Sequence, residues 1–105
     1  MIGALGMAPM TTAQACAAGQ PAGSPVGLCV VGGADGYQVS AIGQGFVGFL
    51  SFAGPGIDRD LASSPTEADP SWIVNGIGRG RVCVVAYQKD GGGYHQIAVE
   101  CQNVD

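Results

Sequence analysis

Two apolar runs rich in β-branched residues flank an Asp-Gly pair near the C-terminal end of the chain. The runs span residues 81–88 and 94–101, and Asp90-Gly91 lies between them. An Asp-Gly pair between such runs is the strongest short-range signal for a two-residue β-hairpin turn. The pattern therefore predicts a long antiparallel hairpin over residues 81–101.

The register of this hairpin decides which side chains share a face. If Asp90-Gly91 is the loop, Arg81 faces Glu100 and Tyr87 faces Tyr94. Opposite charges and aromatic pairs are favourable cross-strand neighbours, so we prefer this register. The same register pairs Cys83 with Ala98 and His95 with Ala86.

A three-residue loop is the alternative, and it shifts the pairing by one residue. One side of the hairpin then carries Cys83, Val85, Tyr87, Ile97, Val99 and Cys101. Cys83 and Cys101 are not directly opposite in either register.

Further short strands are predicted along the chain from apolar runs separated by turn residues. Residues 26–31 and 37–42 flank Asp35-Gly36 and form a second hairpin candidate. Residues 45–53 are aromatic and apolar, which predicts a strand buried on both faces, and residues 72–77 form another. About six short antiparallel strands are typical of an all-β fold, a small β-sandwich or barrel.

Two capping patterns predict one or two short helical turns. Thr11 with Gln14 forms a capping box ahead of the alanine-rich residues 13–18. Ser64-Pro65-Thr66-Glu67 combines a cap, a proline at the first helical position and a glutamate at the third, which predicts a single turn.

The first ten residues form an apolar arm rather than a regular element. We expect residues 1–10 to pack on a partner or on the chain itself, and residues 11–105 to form a single β-rich domain. The arm residues expected at an interface are Met1, Ile2, Leu5, Met7 and Met10.

Charge is scarce, which narrows the classes of partner. Charged residues make up 11% of the 105 residues, and the net charge is −4. A nucleic-acid-binding protein needs a basic patch and anionic membranes attract basic segments, so we expect neither partner. No apolar run approaches the ~20 residues of a membrane-spanning helix.

The four cysteines are Cys16, Cys29, Cys83 and Cys101. They contain no Cys-x-x-Cys spacing and His95 is the single histidine, so we predict no metal site. Because the hairpin registers disfavour a Cys83–Cys101 bond, the candidate disulfides are Cys29–Cys83 and Cys29–Cys101, with Cys16 stapling the short helix. The alternative is four buried, reduced thiols.

Few residues are candidates for catalysis or for binding a cofactor. Residues 43–48 match the Gly-x-Gly-x-x-Gly dinucleotide pattern, but a strand is predicted to follow where a helix is required, so we expect no cofactor. His95 is expected inside a strand in a structural role. The carboxylates of Asp58, Asp60, Glu67 and Asp69 are expected on a solvated loop.

These observations favour a non-enzymatic structural protein that works by assembly with itself and with a larger protein structure. Accessory subunits that decorate or cement a virus or phage particle have this character. Tyr37, Tyr87 and Tyr94 are expected at the interface, where tyrosine is enriched. The alternative is a secreted, disulfide-stabilised β-domain that binds a ligand or glycan.

Localisation depends on the first residue. The chain start lacks the positive region of a secretory signal, so a virion or the cytoplasm is expected if Met1 is native. Secretion is expected if Met1 was added to a processed chain.

Overall fold

Two antiparallel β-sheets pack face to face in the computed structural model, which describes residues 24–33 and 35–104. The three-stranded sheet contains β1 (Val26–Gly32), β2 (Tyr37–Gly43) and β5 (Ser71–Gly76), in the order β1-β2-β5. The four-stranded sheet contains β3 (Val47–Ala53), β4 (Glu67–Ala68), β6 (Gly80–Asp90) and β7 (Gly93–Val104), in the order β4-β3-β6-β7. The predicted all-β sandwich is confirmed. The predicted arm and the helix of residues 13–18 lie outside the described residues.

The core fills the space between the two sheets and follows the two-residue period of the strands. Leu28 and Val39 contribute from the three-stranded sheet, and Leu50, Val82 and Val84 from the other, all with at most 2% of their surface exposed. Van der Waals contact and loss of apolar surface from water at this interface hold the sheets together.

β3 alternates between a buried and an exposed side. Leu50 and Phe52 are buried, whereas Val47 and Ala53 are exposed. The expectation that residues 45–53 are buried on both faces is therefore wrong. The physical reason is that β3 lies in an outer layer, with a packed sheet on one face only.

The hairpin predicted for residues 26–42 is confirmed. β1 and β2 pair from Val26 with Gly43 to Gly32 with Tyr37. The connection is residues 33–36, and the Gly33 amide donates to the Gly36 carbonyl over 2.7 Å.

The hairpin predicted for residues 81–101 also forms, but its turn differs from the prediction. Asp90 faces Gly93, so the two-residue loop is Gly91-Gly92 instead of Asp90-Gly91. Gly91 has a φ of 62°. A two-residue hairpin loop requires a positive φ at its first central position, and glycine adopts it without a steric penalty.

A β-bulge at Ile97 then shifts the register of this hairpin again. Tyr87 faces Gln96, but the preceding residue Ala86 faces Ala98, so Ile97 has no partner. Ile97 and Ala98 both pack against the core, which two consecutive residues of a regular strand do not do.

Because of the bulge and the different turn, the register preferred from the sequence is wrong. The observed pairs are Arg81 with Asn103, Cys83 with Cys101, Val84 with Glu100, Gln88 with His95 and Lys89 with Tyr94. The pairs expected from a three-residue loop are not observed either.

The helical turn predicted at residues 64–67 is wrong. Glu67 begins β4, and the Ser64 hydroxyl accepts a hydrogen bond over 2.9 Å from the buried Leu50 amide. The hydroxyl therefore binds a backbone amide of β3 instead of capping a helix. The single 3₁₀ turn of the described residues is Arg59–Leu61, where the Asp58 carboxylate accepts from the Asp60 amide over 2.9 Å.

Candidate interaction surface

The outer side of the four-stranded sheet carries a group of aromatic and apolar side chains, which we call the aromatic face. These side chains alternate along β3 and β6 with buried Leu50, Val84 and Ala86, so they point away from the core. The aromatic face consists of Val47, Phe49, Ser51, Val85, Tyr87, Tyr94, Gln96 and Val99.

Three aromatic rings occupy one end of this face. Phe49 lies opposite Tyr87 across β3 and β6, and their rings stack with centroids 4.9 Å apart and planes 19° apart. Tyr94 reaches from β7 and packs edge-on against Phe49, with centroids 4.9 Å apart and planes 82° apart. Both geometries suit the quadrupole of aromatic rings and add about 0.5–1.5 kcal/mol each.

A hydrogen bond fixes the position of the Tyr94 ring. Its hydroxyl lies 2.8 Å from the hydroxyl of Thr66, which precedes β4 on the far side of β3. The Tyr94 side chain therefore extends from β7 across Phe49. This arrangement holds the three rings as a preorganised group and lowers the conformational entropy lost on binding.

Much of the aromatic face is open to solvent. Val47 is 47% exposed, Tyr94 49% and Val99 45%. The charged residues that point to this side, Arg81 and Lys89, lie toward the two ends of β6. An uncharged centre with tyrosines is the composition found at the centres of protein interfaces.

A disulfide bond between Cys83 and Cys101 lies on the same side of the sheet. The expected Cys29–Cys83 and Cys29–Cys101 bonds are wrong, and so is the alternative of four reduced thiols. Cys29 of β1 is free and buried. It alternates with the core residue Leu28, so it lies on the outer side of the three-stranded sheet. Cys16 lies outside the described residues.

Tyr37 does not belong to this surface, so its expected interface position is wrong. It is only 4% exposed and points into the core. Its hydroxyl donates to the Pro55 carbonyl over 2.7 Å, and burial raises the pKa of its phenol above 10.0. β2 lies between β1 and β5, and Tyr37 faces Gly76 of β5.

The structure brings Tyr87 and Tyr94 together, as expected, but through Phe49 instead of direct pairing. Sequence reasoning missed Phe49, Val47 and Val99 as surface residues. The strand pattern alone contains no signal that could separate them from core residues, because apolar side chains occur on both faces of these strands.

His95 occupies a different environment from the predicted one. It faces Gln88 instead of Ala86 and is exposed. Its Nδ1 atom lies 3.3 Å from an Asp90 carboxylate oxygen at the hairpin end. An exposed pair of this kind contributes about 0–1 kcal/mol, so its role is local.

The loop carboxylates satisfy nearby backbone amides. Asp58 caps the 3₁₀ turn, and the Asp69 carboxylate accepts from the Gly45 amide over 2.8 Å. Among residues 24–33 and 35–104, no group of three or more His, Cys, Asp or Glu side chains could hold a metal ion. Gly43–Gly48 leads into β3 and not into a helix, so it lacks the helix N-terminus that binds a pyrophosphate.

No family model, curated protein or solved structure matches the chain. Within the part of the chain that the structure describes, no helix is long and apolar enough to span a bilayer.

Proposed function

We propose that this protein is a non-enzymatic structural subunit that assembles with copies of itself through the aromatic face. The carrying observation is the preorganised group of Phe49, Tyr87 and Tyr94 beside exposed Val47 and Val99. Burying these side chains against protein removes apolar surface from water without stranding a charge. A two-fold axis through the face would bring two identical, uncharged surfaces together.

Within this class, the proposal extends to an accessory subunit that decorates or cements a virus or phage particle. Such a subunit works outside reducing cytosol, where a disulfide like Cys83–Cys101 persists. Such a subunit also needs one surface for its own oligomer and another for the particle, and a sandwich has two outer faces.

The test places a charge on the aromatic face. Val99→Lys puts an ammonium on an outward position that is 45% exposed, so the fold should tolerate it. Ile77→Lys is the matched control, because Ile77 is 70% exposed and lies in the loop between β5 and β6. The measurement is the native mass of all three proteins by light scattering over a concentration series.

We expect the unmodified protein and Ile77→Lys to be oligomers with the same dissociation constant. An unpaired charge at an interface costs about 2 kcal/mol or more, so Val99→Lys should raise this constant at least about thirtyfold. A monomeric unmodified protein at every concentration would refute assembly through this face. An unchanged Val99→Lys oligomer would place the interface elsewhere.

The second candidate function is a secreted domain that binds a glycan. The specific observation in its favour is the stacked Phe49–Tyr87 pair on the outer side of the sheet, since ring faces can pack against the apolar faces of sugars. Titration calorimetry against a panel of soluble oligosaccharides tests it. Binding that is lost in Tyr94→Ala but kept in Ile77→Lys would favour this function. The absence of binding to every oligosaccharide would count against it.

A further inference from the structure

β5 lies at one edge of the three-stranded sheet, and its outer edge is open. Among residues 24–33 and 35–104, only β2 pairs with β5. The side chains on the outer side of β5 are exposed as well: Ser71 and Asn75 are exposed, and Ile73 is 57% exposed. An edge strand with unpaired backbone groups is a template for pairing with another strand.

The alternation of backbone groups along β5 shows which of them point to the open edge. The Gly43 amide donates to the Pro70 carbonyl over 2.7 Å, so the Pro70 carbonyl points toward β2. Backbone groups alternate between the two sides of a strand, so the even-numbered residues of β5 also point toward β2. The amides and carbonyls of Ser71, Ile73 and Asn75 therefore point to the open edge.

The other sheet edges are guarded, and that of β5 is not. β4 has only two residues. The Gln102 side chain of β7 donates to the Leu28 carbonyl of β1 over 2.9 Å, so the edges of these two strands face each other, and β7 carries the bulge at Ile97. β5 pairs with β2 in an unbroken register and contains no proline or charged residue. It therefore lacks the short length, bulge, charge or cover that prevents pairing at an edge.

The open edge has the length of β5 itself. At one end, the Ile77 amide donates to the Pro55 carbonyl over 3.2 Å, which closes the edge beyond Asn75. At the other end, Asp69 has a positive φ of 48°, which turns the chain out of the extended conformation. An added strand therefore finds hydrogen-bonding groups only between Ser71 and Asn75.

We infer that β5 pairs with β5 of a second copy about a two-fold axis at Ile73. The two three-stranded sheets then form one continuous sheet, with the order β1-β2-β5 followed by the same strands of the copy in reverse. In this antiparallel register Ile73 faces itself and Ser71 faces Asn75 of the copy. The strands exchange two backbone hydrogen bonds at each of these pairs, so every backbone group at the open edge gains a partner.

The side chains of β5 are complementary to themselves in this register. On the outer side, the two Ile73 side chains meet at the axis, and each Ser71 hydroxyl lies beside an Asn75 amide of the other copy. Apolar side chains therefore meet each other, and hydrogen-bond donors meet acceptors. No charge of β5 is buried, because the strand has none. A two-fold interface requires this kind of self-complementarity, so a second copy is the occupant that fits the edge.

A groove beside the open edge provides apolar contact for the inner side of the added strand. It has a volume of about 150 Å³ and lies between β5 and a wall of Ile57, Asp58 and Leu61. The Leu61 carbonyl accepts from Trp72 Nε1 over 2.8 Å, so the wall is held to β5, yet Leu61 is 59% exposed. In the inferred register Val74 of the copy faces Trp72. The added strand therefore removes apolar surface of this groove from water.

The first test is a disulfide across the inferred axis. In a Cys16→Ser and Cys29→Ala background, Ile73→Cys places two thiols opposite each other, with Cα atoms about 5.5 Å apart, a distance that a disulfide spans. Val31→Cys is the control. It lies on the same side of the same sheet, but five strand spacings, at least about 24 Å, would separate it from its copy.

Copper phenanthroline oxidises both proteins, and non-reducing gel electrophoresis measures the covalent dimer. We expect Ile73→Cys to form this dimer at least about tenfold faster than Val31→Cys, because pairing raises the effective concentration of its two thiols.

The second test places a charge at the axis. Ile73→Lys brings two ammonium groups together in the dimer, whereas in the monomer it adds one exposed lysine. Val31→Lys is the matched control, since Val31 is 43% exposed on the same sheet. Both are made in the Val99→Lys background, where the aromatic face already carries a charge, and light scattering over a concentration series measures the dissociation constant.

We expect the Val99→Lys protein and its Val31→Lys derivative to be dimers. Ile73→Lys should raise the dissociation constant at least about tenfold, because it removes an apolar pair and places like charges directly opposite each other. Circular dichroism checks the fold, and Asn75→Lys, at another exposed position of the edge, replaces Ile73→Lys if that variant unfolds.

Equal cross-linking at positions 73 and 31, or an unchanged dissociation constant in Ile73→Lys, would overturn the inference. A Val99→Lys protein that is monomeric at every concentration would also overturn it, but would leave the aromatic face as the interface. Conversely, an unchanged Val99→Lys oligomer with fast cross-linking at position 73 would refute assembly through the aromatic face and support β5 pairing. The inference does not rest on the proposed function, and the two fail separately.

Discussion

Cys83 and Cys101 face each other across β6 and β7 and are joined by a disulfide, with their Cα atoms 4.1 Å apart. The bond closes a loop with a sequence separation of 18 residues, which contains the whole hairpin end. Because the bulge at Ile97 lies inside this loop, the disulfide holds the shifted register against slippage.

Loss of this bond should lower stability by about 3 kcal/mol, the chain-entropy value for a loop of this size. Cys83→Ala with Cys101→Ala is the variant, and urea unfolding with and without dithiothreitol is the measurement. Dithiothreitol should destabilise the unmodified protein and leave the variant unchanged. Equal stability of the two proteins without reductant would contradict the prediction.

Tyr37→Phe should destabilise the protein by about 1–2 kcal/mol at neutral pH, because the Pro55 carbonyl loses its donor. The difference from the unmodified protein should shrink in alkali. Burial raises the pKa of Tyr37, so above pH 10.0 the unfolded state loses this proton first and stability falls as pH rises. Urea unfolding from about pH 8 to pH 11 measures both effects. A constant difference across this range would count against the buried phenol.

Ser64→Ala should cost about 1–3 kcal/mol, because the buried amide of Leu50 loses its hydrogen-bond acceptor. Ser63→Ala is the matched control, since Ser63 is exposed and contacts Ser51 through its backbone. We expect the control to stay within about 0.5 kcal/mol of the unmodified protein in denaturant unfolding. Similar losses in both variants would show that the Ser64 hydroxyl has no special role.

The candidate surface was only partly predictable. Tyr87 and Tyr94 could be named from the sequence because they flank a recognisable turn. Their neighbour Phe49 could not, since it lies in a different strand and shares its run with the core residues Leu50 and Phe52. Tyr37 was misplaced because its burial depends on the core between the two sheets and not on its own strand.

The sequence alone predicts the all-β class, the positions of the main strands and the existence of both hairpins. These depend on local properties: two-residue alternation, β-branched side chains and glycine at the turns. They can be predicted without knowing which residues are neighbours in space.

In contrast, the register of β6 and β7, the disulfide and the buried side of each strand depend on how the two sheets pack. A shift of one residue moves every side chain to the opposite face, and both faces of these strands carry some apolar side chains, so the local pattern could not choose the register. Packing of Ile97 and Ala98 against the core produced the bulge, and the bulge placed Cys83 opposite Cys101. The register is thus a property of the two packed sheets and not of the hairpin alone.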